Sequence, residues 1–176
     1  MGTPKIPITY PAKMGLLIGL VYCVLIYIEN RFFSNDTMVF TAVKCLGFLL
    51  ILAGFFYTAN ESKKQNGGYI TFQEALRVLL VTIAICELLY LVFNFIYVKY
   101  IDPEYMNRLK ISMKAFLQKS NLSSDEINNR MKPFDGAGTI TVWSLIQSYG
   151  FAIIVDAVFA VIIASIIKRN PPVTAN

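Results

Sequence analysis

The stretch that most constrains this chain is residues 75–97, ALRVLLVTIAICELLYLVFNFIY, a long apolar run broken at its centre by one acid, Glu87. At about 1.5 Å per residue it spans roughly 34 Å, against a hydrocarbon core of about 30 Å. Three further runs are comparable, at about 14–33, 38–58 and 142–167. Of the 176 residues, 56% are hydrophobic, and a soluble domain of that size cannot bury four such runs. The chain therefore reads as an all-α membrane protein. One four-span domain covers 1–176, with a long amphipathic helical link, 98–141, between the third and fourth transmembrane helices.

Local signals place the element ends. Gly67-Gly68 supplies a sharp turn before the third span, since glycine accepts positive φ. Thr71-Phe72-Gln73-Glu74 matches a capping box, with Ile70 as the apolar residue ahead of the cap. The run Met14–Ile28 lacks a small-residue cleavage site after it and reads as an uncleaved span that ends in Glu29-Asn30-Arg31, charges that snorkel to the interface. Gly15 and Gly19 form a GxxxG spacing that admits a close helix neighbour, and Gly47, Ile51 and Gly54 share one side of the second span with Lys44. The segment 59–70 reads as a polar loop. In the link, Asp102-Pro103 reads as a cap with proline at the first helical position, and Met106, Leu109, Met113 and Phe116 as the apolar stripe of an interfacial helix. Ser123-Ser124-Asp125-Glu126 is a second capping box, Pro133 closes the short helix after it, and residues 135–138 form a flexible turn.

Several function classes are excluded. The chain has no histidine, which removes imidazole metal sites, histidine-ligated haem and every triad with a histidine base. Cys23, Cys45 and Cys86 lie in apolar runs without ligand spacing. No nucleophile elbow, HExxH, P-loop or Cys-x-x-Cys is present, so no cofactor and no enzymatic activity are expected. The net charge of +5 is accounted for by the membrane surface without nucleic acid. Outside Lys44, the termini side carries seven basic residues and the other side eight. The charges on the termini side sit closer to span ends, which favours termini in the cytoplasm.

Ionisable groups inside a bilayer cost on the order of 3 kcal/mol each. Lys44, Glu87 and Asp156 are such groups, with Asp156 near the middle of its span. Antiparallel third and fourth spans put the two acids at one depth. Glu87, Tyr90 and Asn94 share a helix face, as do Tyr149 and Asp156. The expected site is a polar cluster of Lys44, Glu87, Asn94, Tyr149 and Asp156, with Lys44 as counter-ion to coupled carboxyls.

Residues 63–75, KKQNGGYITFQEA, together with Tyr100-Ile-Asp-Pro-Glu-Tyr105, Leu122-Ser-Ser-Asp-Glu-Ile127 and Met131-Lys-Pro133, carry a resemblance over nearly the whole chain. They resemble the bacterial membrane family known as domain of unknown function 4199, found mostly in Bacteroidota. The resemblance implies a multi-pass bacterial inner-membrane protein and brings no ligand or site. Two functions stay open. The missing catalytic set and the small-residue faces favour a non-catalytic accessory or scaffold protein in the lipid bilayer, with a protein partner or as a homo-oligomer. The alternative is a small carrier or channel coupled to a proton or cation through Glu87 and Asp156.

Overall fold

The computed structural model describes residues 7–120, 122–132 and 142–171. Six α-helices follow in order: α1 (Thr9–Ile28), α2 (Thr37–Gln65), α3 (Phe72–Ile96), α4 (Tyr105–Gln118), α5 (Ser124–Met131) and α6 (Val142–Ile167). Wider π-helical turns, Glu29–Phe33 and Tyr97–Ile101, extend α1 and α3. Four stretches are long and apolar enough to cross a membrane: Thr9–Phe33, Thr37–Gln65, Phe72–Ile101 and Trp143–Ile167. The protein is thus a helical, multi-pass membrane protein, with no strand among the described residues.

The α3 helix is the hub, packed against α1, α2 and α6. It runs parallel to α1: Thr82 meets Pro11 and Gly15, Leu89 meets Cys23, and Tyr90 stacks on Tyr22 at 5.0 Å. The glycines make this approach possible. A Cβ on Gly15 would lie 2.6 Å from the Thr82 carbonyl oxygen, and one on Gly19 would lie 2.8 Å from Leu89 Cδ1. The α6 helix runs antiparallel to α3. A reciprocal pair of backbone hydrogen bonds joins Ile70 to Arg169, at 3.0 and 2.8 Å, and fastens the end of α6 to the start of α3.

The entry to α3 follows its sequence signals. Gly67 and Gly68 take φ of 71° and 85°, and Glu74 and Thr71 form the reciprocal capping box. The second capping box, Ser123 with Glu126, starts α5. Three readings are corrected. Residues 59–65 are helix rather than loop, because this polar segment has its own partners: Ser62 donates to the Thr58 carbonyl at 2.8 Å, Lys64 pairs with Glu61 at 3.0 Å, and Lys63 donates to the last carbonyl of α6 at 3.0 Å. Asp102 does not cap α4. Its carboxylate instead accepts a two-pronged contact from Arg108 and a 3.0 Å hydrogen bond from the Tyr97 hydroxyl. Glu29 does not snorkel but is buried. Pro133 and the turn at 135–138 lie outside the described residues.

The interior divides into two halves. On the termini side a core of Ile18, Ile51, Phe55, Leu79, Ile83, Ala160, Ile163 and Ala164 is closed and apolar. On the opposite side, where α4 folds over the bundle, an aromatic cluster of Phe40, Tyr97 and Tyr105 forms the second core. Ser112 of α4 is buried because its hydroxyl pairs with that of Thr37 at the start of α2, 3.1 Å away.

Candidate functional site

Glu87 lies midway along the third span and Asp156 midway along the fourth. Because α3 and α6 are antiparallel and in contact, the two acids meet at the wall of one cavity, and their carboxyl groups lie within hydrogen-bonding reach of each other. Both residues are buried, at 5% and 6% exposure. A hydrogen bond between two carboxyls needs a proton on one of them, because an ionised carboxylate only accepts. With both ionised, the same contact would place two like charges side by side in a medium of low dielectric.

A cavity of about 260 Å³ opens beside the pair, lined by Tyr22, Phe48, Ile51, Tyr90, Ala152 and Val155 among others. On α3 and α6 every lining residue other than the pair itself lies on the α4 side of it. Tyr90 follows Glu87 along α3, and Phe151, Ala152 and Val155 precede Asp156 along α6. Below the pair, toward the termini, hydroxyls are spent on backbone carbonyls, and that of Thr82 also reaches the Pro11 carbonyl of α1. Thr58, Ser62 and Thr82 donate to carbonyls four residues earlier, at 2.9, 2.8 and 2.9 Å.

The other expected members fall differently. Tyr149 lies within electrostatic reach of Glu87, but its hydroxyl donates to the Ala84 carbonyl at 3.0 Å. Asn94 is half-buried two turns beyond Glu87 and does not line the cavity. Lys44 does not serve as counter-ion to the pair. Its ammonium lies over the Phe40 ring, 4.7 Å from the centroid, in a separate groove with Leu109 and Met113 of α4, and its nearby acid is Glu29. The reason is depth: Lys44 is about 10 Å inside the α4 end of α2, at 1.5 Å per residue, and its long stem reaches that end.

Glu29 was missed as an interior group. It is 4% exposed, and one carboxylate oxygen lies against Gly47, where no side chain stands in the way. Asn30 and Ser34 beside it are each 1% exposed, and the Asn30 Oδ1 and Ser34 Oγ atoms have no protein partner. The spacing Gly15, Gly19, Tyr22, Ile26, Glu29 already lies on one helical stripe, and that stripe could have placed Glu29 inside.

Comparison with known families follows from this architecture. The family model described as Protein of unknown function (DUF4199) matches residues 13–169, which takes in the last three spans whole and the first from its second turn onward. The chain belongs to the DUF4199 family. No curated protein and no solved structure matches it. Membership in DUF4199 thus accords with the membrane architecture, and the chemistry has to be read from the chain's own residues.

Proposed function

We propose that the protein is a small, non-enzymatic proton-coupled carrier or channel in the bacterial inner membrane, with Glu87 and Asp156 as its proton-binding site. The observation that carries this reading is the meeting of two buried carboxyls at mid-span, on the wall of one cavity. Helices in lipid can be held together by hydroxyls and amides, at well under 2 kcal/mol per contact. Two acids on facing helices are an expensive way to obtain the same adhesion, and ionisable groups at this depth are typical of proton paths. The neighbouring cavity supplies room for water beside the pair. Termini in the cytoplasm fit the reading, with Lys13, Lys63, Lys64, Lys168 and Arg169 near the span ends of that side.

The test is proton flux in proteoliposomes that carry a trapped pH-sensitive dye. The wild type is expected to dissipate an imposed pH gradient, and Glu87→Gln and Asp156→Asn are each expected to abolish this while the protein stays monodisperse. Flux that survives both substitutions overturns the reading.

One observation favours a second reading, an accessory or scaffold subunit: among the described residues the core on the termini side is close-packed and mostly apolar, which interrupts a polar route through a single chain. That reading predicts a stoichiometric partner, or self-association, when the protein is purified from native membranes in mild detergent.

A further inference from the structure

We propose that the Glu87–Asp156 pair exchanges protons with the α4 side of the membrane only, along a water-bearing path past Tyr90 to Glu29, and that Glu29 is a second proton-binding group on that path. The inference rests on the proposed proton site and adds its route and sidedness. Three separate features support it. The cavity at the pair extends toward α4 and is walled by the Tyr22–Tyr90 stack. Glu29 Oε1 lies against Gly47 of α2, next to Phe48 and one turn from Ile51, both of which line the cavity, and Glu29 shares its stripe on α1 with Tyr22 of the cavity wall. The third feature is the pair of unpartnered buried atoms next to Glu29, the amide oxygen of Asn30 and the hydroxyl of Ser34. Buried polar atoms are nearly always hydrogen-bonded, to ordered water where no protein group serves. Water at Asn30 and Ser34 would continue the polar line from Glu29 to the rim of the bundle.

The groups that bias Glu29 come from each packed element: Lys44 of α2, Tyr90 of α3 and Tyr105 of α4. Those around Glu87 are Asp156 and Tyr149 of α6, Tyr22 of α1 and Cys86 and Tyr90 of its own helix. Toward the termini the described interior offers no counterpart, since Phe55, Leu79, Ile83 and Ala164 are each 0% exposed and close-packed. A proton arriving from α4 therefore meets a cavity and acids, whereas one arriving from the termini meets close-packed apolar side chains and hydroxyls already bonded to backbone carbonyls.

The experiment uses the full chain with Cys23→Ser, Cys45→Ser and Cys86→Ala, reconstituted in vesicles of known orientation. Ala152→Cys and Ala160→Cys are introduced separately, and each is treated with a charged, membrane-impermeant methanethiosulfonate added from one side at a time. Ala152→Cys is expected to react only from the α4 side, and Ala160→Cys from neither. Reaction of Ala152→Cys from the termini side, or from neither side, overturns the path. A second arm follows proton uptake by the reconstituted protein after a pH jump on the α4 side. Glu29→Gln is expected to slow uptake at least about tenfold, and Glu29→Asp to recover most of the rate. Equal rates in all three overturn the role of Glu29. Labelling does not depend on flux, so failure of the path is distinguishable from failure of the proton site itself.

Discussion

The contact between α1 and α3 can be tested by adding a single methyl group. In Gly15→Ala the new Cβ would sit 2.6 Å from the Thr82 carbonyl oxygen and 3.0 Å from Ile85 Cβ. Ordinary contact begins near 3.4 Å, so α1 would have to retreat by most of an ångström. The obstacle is backbone, which cannot rotate away as a side chain can. Forcing an extra methylene into a packed interior costs about 1–3 kcal/mol. Alanine returns about 1 kcal/mol of helix propensity. The net expectation is a loss of up to about 2 kcal/mol against the wild type, and of about 1–3 kcal/mol against a substitution that gains the propensity without the clash. Gly150→Ala in α6 is the matched control, because no atom lies within 4 Å of its Cβ. It is expected to be neutral or stabilising by up to about 1 kcal/mol. Gly54→Ala falls between them, since the atoms it meets belong to the flexible Ile18 side chain, 3.2 Å away. Unfolding by dodecyl sulfate titration in mixed micelles, followed by circular dichroism, ranks the three. A Gly15→Ala protein as stable as the Gly150→Ala control would refute a close backbone approach between α1 and α3.

Further outcomes follow from the α4 end. The hydrogen bonds from Arg108 hold the Asp102 carboxyl below its usual range, so its contribution to stability is complete above the unfolded carboxyl value of about 3.9 and is lost as pH falls through the lower folded value. Hydrogen exchange in α4 should rise on acidification below about pH 4, and Asp102→Asn should remove that dependence. Asp102→Ala, which strands the buried Tyr97 hydroxyl and the Arg108 guanidinium, should cost about 2 kcal/mol in the same unfolding assay. Ser112→Ala removes the partner of Thr37 and should cost about 1 kcal/mol, with faster exchange in α4 while α3 stays protected.

What was legible in the sequence was what depends on local pattern. The four spans follow from apolar length, the α3 entry from two glycines and a capping box, and the meeting of Glu87 with Asp156 from their matching depth in antiparallel helices. The GxxxG spacing on α1 could be seen, but its partner is the parallel α3 rather than the α2 that follows it in the chain. The rest was decided by tertiary contacts that sequence spacing does not encode. Lys44 was assigned to the acids by the reach of its long stem, but the stem extends instead to the nearer α4 end, over Phe40 and into the α4 groove. Asp102 matched a helix cap by residue type, but an arginine six residues on competes for the carboxylate and wins. Glu29 lies at the edge of an apolar run, where charges ordinarily reach water, and only the gap left by Gly47 lets it turn inward.

The central claim is that two acids in the middle of the bilayer share a proton. Infrared difference spectroscopy of the reconstituted protein across a pH titration reads carboxyl protonation directly. The account predicts a protonated-carboxyl band that titrates as a coupled pair, and it predicts that Glu87→Gln or Asp156→Asn alone turns the remaining acid into a simple, single titration. Two independent titrations in the wild type, or a band unchanged by either substitution, would contradict it.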